Sequence, residues 1–288
     1  MNLKCKNKIE NFLTKNNLVD NYNILELLEE QNLENIIDKL ETFPQDKLTD
    51  FALECVCEEL LITASYKIER TGMKLGLHRM EYILGLFNHP EKDLKVIHVA
   101  GTNGKGSTCS YIKDVLKTKY HVGLYSSPGM LSFNDRIRIN DDFIPYKEAY
   151  RLYKEVVKVY DANNPDPSDK LSFFEIITAV ALLYFKDQKT DFVIMEVGLG
   201  GRYDGTNIFK EKLLSIITKI GLDHTAILGD SLEKITYEKA GIIQENDNVL
   251  IYPANDSIVD VISNICKEKN AKLSILDENN IEIKDIGA

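Results

Sequence analysis

Five short apolar runs constrain this chain more than anything else in it. They read LKVIHVA at 94–100, VGLY at 122–125, DFVIMEV at 191–197, LLSIITK at 213–219 and NVLIY at 248–252. Each stops at a glycine-rich or polar turn, and helical patterns separate them. Strands apolar on both faces belong to a sheet covered on both sides, and alternation with helices makes that sheet parallel. The expected fold is therefore α/β with a mostly parallel sheet. Ligands bind such sheets at the C-terminal edge of the strands. The chemically distinctive segments of this chain all follow strands at that edge.

The first 60 residues have a different texture. They are acidic and helical in pattern, with Leu25 and Leu28, then Leu33, Ile36, Ile37 and Leu40, at helical spacing. Pro44 is expected to break two helices there. The expected division is a helical extension at 1–60 and one α/β domain at 61–288. Cys55 and Cys57 form a C-x-C, but no second cysteine or histidine pair stands nearby, so core or helix-face thiols are expected. Five cysteines at irregular spacing predict free thiols in a reducing compartment. With 35 Lys+Arg against 45 Asp+Glu the net charge is -10, which disfavours a general nucleic-acid binder but not a local anion site. The N-terminus lacks the apolar region of a signal peptide, and the longest apolar runs are too short for a membrane span. A cytoplasmic monomer acting on small molecules, with no nucleic-acid or membrane partner, is the expectation.

The strongest local signal is Gly101-Thr102-Asn103-Gly104-Lys105-Gly106-Ser107-Thr108, between a strand and a helix. Glycines let successive N–H groups turn toward one anion, and the helix N-terminus adds its dipole. Lys105 supplies a full charge for terminal phosphates, and Ser107 and Thr108 supply hydroxyls. The segment departs from G-x-x-x-x-G-K-[ST]: Val99 stands at the first glycine position, and Gly106 follows the lysine. Glu196, at the end of DFVIMEV, is placed as a strand-edge carboxylate for Mg2+. His98, inside an apolar strand, is read as a satisfied core histidine. Asp230 and Glu233 are expected to cap the helix that carries Lys239, and Gly241 to close it. Ser172 and Glu175 read as a capping box.

HVAGTNGKGST, together with KIERTGMKLGLHRMEYIL, SSPGMLSFNDRIRIN, LSFFEIITAVALLYF, MEVGLGGRYDGTN and GLDHTAILGDSLEKITYEKAGII, resembles the folylpolyglutamate synthase/dihydrofolate synthase family of the Mur ligase superfamily. The resemblance runs from about Tyr66 to at least Pro253. It implies a P-loop ATPase domain of Mur ligase type using ATP and Mg2+. It also implies ligation of L-glutamate to folate or dihydropteroate through an acyl phosphate, releasing ADP and phosphate. Ser127, Glu196 and His224 are implied as metal ligands, and Lys105, Lys239 and His224 as catalytic residues. Lys239 matches a lysine that is carbamylated in the family. Arg136, Arg138, Phe174 and Asp204 are the candidates for binding the pterin and its carboxylate. Gly129, Asp135, Tyr203 and Gly205 depart from the family pattern, all in the pterin region and none around the phosphates.

The family has a further C-terminal ligase domain, which the residues after about 253 cannot accommodate. The expectation is thus an incomplete ligase. A nucleotide-binding fragment without ligase activity of its own, or a different Mur-type amino-acid ligase, are the alternatives.

Overall fold

The computed structural model describes residues 3–20, 22–30, 32–69, 76–129 and 132–277. Part of the first family-like segment (70–75) and the end of the chain (278–288) lie outside the described residues. In chain order the helices and strands begin with α1 (Leu3–Asn16), α2 (Ile24–Leu27), α3 (Leu33–Glu41), α4 (Lys47–Glu69) and α5 (His78–Leu86). Then come β1 (Val96–Ala100), α6 (Lys105–Leu116), β2 (Val122–Tyr125), β3 (Ile137–Ile139), β4 (Asp142–Phe143), α7 (Tyr146–Asn163) and α8 (Phe173–Asp187). The rest is β5 (Phe192–Glu196), β6 (Leu214–Ile217), α9 (Thr225–Leu228), α10 (Leu232–Lys239), β7 (Asn248–Ile251), α11 (Asp256–Glu268) and β8 (Lys272–Ile275).

The chain forms two compact units, and the break is not at residue 60. One unit comprises 1–74, 130–135 and 143–180; the other comprises 75–129, 136–142 and 181–288. The expected boundary falls inside α4, whose residues stay helical to Glu69. The missing signal was that α7 and the first turns of α8, far along the sequence, join the N-terminal helices.

In the helical unit α4 packs against α1, α3 and α7. Leu28, Ile36, Leu40, Leu53, Leu61 and Val156 are fully buried there, matching the helical spacing of the leucines and isoleucines. Pro44 does lie between two helices. Asp46 then accepts hydrogen bonds from the Leu48 and Thr49 amides and starts α4. Pro145, at the start of α7, brings no side-chain cap. The Glu54 carboxylate of α4 takes that place, accepting from the Tyr146 and Lys147 amides at 2.6 and 3.2 Å. The capping box is present: the Ser172 amide donates to Glu175 Oε2, and the Glu175 amide donates to Ser172 Oγ. Cys55 and Cys57 are buried free thiols, as are Cys5, Cys109 and Cys266.

The other unit is built on an eight-stranded sheet of order β4-β3-β2-β5-β1-β6-β7-β8. From β2 through β8 the neighbours β2, β5, β1, β6, β7 and β8 are parallel, while β3 runs antiparallel to β2. All five apolar runs are strands. Residues alternate between the two faces. Val99, Ile194 and Ile216 join Cys109 of α6 in one core, whereas Ala100, Val197 and Ile217 join Ile258, Ile262 and Ile265 of α11 in another. The chain enters the sheet at β1, adds β2 and β5 on one side, then adds β6 and β7 on the other. A crevice opens where the connections part in this way, at the C-terminal end of β1. No helix among the described residues is long and apolar enough to cross a membrane.

Candidate active site

Three strand ends meet at that crevice: Gly101 after β1, Glu196 at the end of β5 and Thr218 after β6. The loop after β1 is pinned to the β6 side. The Thr102 and Asn103 amides donate to the Lys219 carbonyl at 2.9 and 3.2 Å. Thr102 Oγ1 donates to the Gly221 carbonyl, and Thr218 Oγ1 to the Asn103 carbonyl at 2.9 Å. Gly101 has φ +144°, and a Cβ there would stand 1.9 Å from Thr218 Oγ1, so only glycine fits. Gly104 then caps α6 in the left-handed region, φ 86°, with no side-chain cap. The first helical bond at this end runs from the Thr108 amide to the Gly104 carbonyl. The N–H groups at the start of α6 therefore face outward with the positive end of the dipole. Thr218 was invisible to sequence reasoning, because its role is set by pairing across the sheet. A polar residue at the end of an apolar strand was the only available signal.

Two lysines converge on this loop. Lys105 Nζ lies 3.2 Å from the Gly101 carbonyl and 3.4 Å from that of Thr102. Lys239 Nζ, from the end of α10, donates to the same Gly101 carbonyl at 2.9 Å. Lys239 is buried, and its pKa is pulled down to about 8, first by burial and then by the charge of Lys105. Two cations sharing one carbonyl oxygen form a site in want of an anion. The cap of α10 is Ser231, whose side chain accepts from the Lys234 amide, and not the expected Asp230–Glu233 pair. Asp230 instead pairs with Lys234 at 2.8 Å, one turn along the surface. Gly241 does not close the helix either. It lies in the 3-10 turn Ala240–Ile242.

Glu196 shares the α6 face of the sheet, as its alternation with Ile194 requires. It is 5% exposed and takes one backbone bond, from the Ser127 amide to Oε2 at 3.3 Å. Burial raises its pKa, opposed by the charge of Lys105. A buried carboxylate beside a serine and a phosphate-type loop is a fitting donor set for a hard cation completed by phosphate oxygens and water. His224 stands on a different element. Its side chain is half exposed, at the start of the short α9, and its ring lies 3.6 Å from Asp223. Among the described residues no three His, Cys, Asp or Glu side chains form a metal cluster.

The four candidates for substrate binding divide. Arg136 and Arg138 flank Ile137 at β3, and both isoleucines, 137 and 139, are buried while the arginines are partly exposed, as the alternation predicts. Phe174 is half-buried on α8 in the helical unit, beside a buried Phe173 that packs on Phe133. Asp204 is engaged within its own loop. It is buried, Oδ2 accepts from the Leu199 amide, and Oδ1 accepts from the Thr206 amide and hydroxyl. These bonds shape the loop after β5, as a buried carboxylate needs local partners. Asn207 likewise bonds the Arg202 and Gly241 carbonyls. His98 is in the core, but only Nε2 is satisfied, by Thr206 Oγ1 at 2.9 Å; Nδ1 has no partner.

A parallel sheet with a glycine-rich loop, a loop lysine and a strand-end carboxylate at its switch point defines a phosphate-binding-loop domain. The family model of the Mur ligase middle domain matches residues 99–287, and the chain belongs to that family, in its folylpolyglutamate synthase/dihydrofolate synthase branch. It is 46% identical over 176 residues to the dihydrofolate synthase/folylpolyglutamate synthase of Bacillus subtilis, covering 60% of this chain and 41% of that protein. It is 38% identical to the dihydrofolate synthetase of Saccharomyces cerevisiae, covering 72% of this chain and 48% of that one. Among solved structures, folylpolyglutamate synthase of Thermotoga maritima superposes with TM-score 0.68 at 29% identity, covering 76% of this chain and 50% of that one. E. coli FolC in complex with DHPP and ADP gives 0.67 at 33%, covering 75% and 51%. The chain thus spans under half the length of these two curated relatives.

Proposed function

We propose that residues 101–108 bind the phosphates of ATP, and that this domain serves a ligase adding L-glutamate to folate or dihydropteroate. The observation that carries the reading is the convergence of Lys105, Lys239 and the N-terminus of α6 on one loop, next to buried Glu196. The names of the relatives supply the substrate class.

In this reading the pterin's carboxylate attacks the γ-phosphate, giving an acyl phosphate and ADP; the amine of glutamate then attacks, and phosphate leaves. No protein nucleophile is needed, so the residues act by positioning and charge. The outward N–H groups of α6 hold the phosphates, and Lys105 offsets charge that builds on the transferred group. Glu196 and Ser127 would hold Mg2+, which when bound neutralises phosphate charge. Lys239 keeps an unusually large neutral fraction, the form that carbon dioxide carbamylates, and it would then border the metal site. Arg136 and Arg138 are the guanidinium groups that would meet a substrate carboxylate.

Incubation with ATP, L-glutamate and dihydropteroate or tetrahydrofolate should give ADP and a glutamylated product. Product only with a UDP-muramyl substrate would instead favour another Mur-type ligase. The partial span of the relatives favours one second reading, a nucleotide-binding module that ligates only with further chain. Robust ligation by the 288 residues alone would refute it.

A further inference from the structure

We propose that His98, as a neutral Nε2–H donor, and Thr206 are positioning residues for the phosphate loop, acting through Asp204 and Lys239. The proposal rests on reading that loop as the nucleotide site.

The contacts form a circuit that starts on β1 and ends at the loop that follows it. His98 is fully buried on β1, on the face opposite Val99 and α6. Its Nε2 meets Thr206 Oγ1 at 2.9 Å, and Thr206 Oγ1 meets Asp204 Oδ1 at 2.5 Å. Asp204 fixes the loop by accepting from the Leu199 and Thr206 amides. That loop bonds the last turn of α10, the Arg202 amide donating to the Glu238 carbonyl at 2.9 Å. The fit is tight: a Cβ on Gly201 would stand 2.7 Å from the Lys239 carbonyl. Lys239 then reaches the Gly101 carbonyl, three residues beyond His98. Moving Asp204 would therefore move the end of α10, and with it the ammonium that touches the loop.

The polarity of the relay follows from counting hydrogens. The Thr206 hydroxyl has one, and the Asp204 carboxylate, which already accepts backbone N–H groups, is the acceptor for it. Thr206 Oγ1 can then only accept from His98, so Nε2 carries the proton. Nδ1 is buried without a partner, and a bare lone pair there is less costly than an orphaned N–H. The Phe209 ring stands edge-on to the imidazole at 6.1 Å, and burial, helped by the charge of Lys212, holds the His98 pKa well below its ordinary value. The ring therefore stays neutral, and its donor direction is fixed.

The test needs the wild type, Thr206→Val and Thr206→Ser. In the 15N-labelled wild type, NMR should find His98 Nε2 protonated and Nδ1 bare at neutral pH. A proton on Nδ1 overturns the relay whether or not any variant folds. Thr206→Val removes the hydroxyl at nearly constant shape, and hydrogen exchange at the Leu199 and Arg202 amides should accelerate roughly tenfold, the worth of one or two hydrogen bonds. The Leu124 amide in β2 should be unaffected, which separates a local loss from general destabilisation. Thr206→Ser should restore the slow exchange. ATP affinity should fall roughly tenfold in the Val variant and recover in the Ser variant, the same free energy expressed in binding. Unchanged exchange, or faster exchange with unchanged ATP affinity, overturns the positioning role. A wild type that binds no nucleotide, yet has the stated tautomer and the local exchange response, refutes the nucleotide reading and supports the relay.

Discussion

Lys212 and Lys239 are both buried and both pulled down to about 8, yet they belong to opposite ends of the strands and to different kinds of site. Lys212 precedes β6. Its Nζ lies 3.1 Å from Asp247, both side chains at most 1% exposed, and it also donates to Ser215 Oγ and the Ile242 carbonyl. Lys239 follows the crevice end of the sheet. It meets a carbonyl in place of a carboxylate, and its cationic neighbour Lys105 opposes its charge. A lowered lysine pKa therefore does not identify function by itself. The partner does: a carboxylate at hydrogen-bond distance marks a structural pair, and a second cation marks a site built for an anion.

The largest expected effect sharpens the structural half of this contrast. Lys212→Ala strands Asp247 in the core and should cost about 3–5 kcal/mol in denaturant unfolding. The double variant Lys212→Met/Asp247→Leu should recover most of that loss, since an apolar pair carries no stranded charge. If Lys212→Ala left stability unchanged, the pair would not be the buried structural bridge described. At the other end, Gly101→Ala should cost about 2 kcal/mol, from an unfavourable φ and the contact with Thr218 Oγ1. A variant as stable as the wild type would show that the loop tolerates a side chain, against the tight fit to β6.

Lys239→Met should break the symmetry between the two lysines. Its thermal midpoint should equal or exceed that of the wild type, because the variant removes a poorly compensated charge, while its ATP affinity should fall. A large loss of stability would make Lys239 another Lys212. The smallest effect is a pH dependence. Lys239 has a folded pKa of about 8 against an ordinary 10.5. Across that window the unfolded chain holds a proton that the folded chain has released, so the wild type should gain stability relative to Lys239→Met as pH rises. A difference that stays flat or shrinks would mean that Lys239 is not desolvated.

The sequence made the sheet legible because strands covered on both faces must be apolar throughout, and all five runs form strands. It also exposed the phosphate loop, where chemistry and local conformation need the same residues. It failed where a residue's role depends on how the chain folds around it. Asp204 looked like a ligand for the pterin ring, and only the fold reveals that Leu199 and Thr206 already occupy it. Thr206 carried no signal of its own, and Thr218 only that of a polar residue at the end of an apolar strand. The helical unit was misdrawn for the same reason: α7 reads as an ordinary amphipathic helix, and nothing local says that it belongs with α4. His224 was suggested by resemblance alone, and its half-exposed ring lies 3.6 Å from Asp223.

The most direct measurement is calorimetric titration of ATP with Mg2+ into the wild type and Lys105→Ala. The wild type should bind, and the variant should bind roughly 100-fold more weakly, since a lost charged donor at such a site is worth about 3 kcal/mol. Equal affinity in the two proteins, or no binding by the wild type, would contradict a phosphate site at residues 101–108.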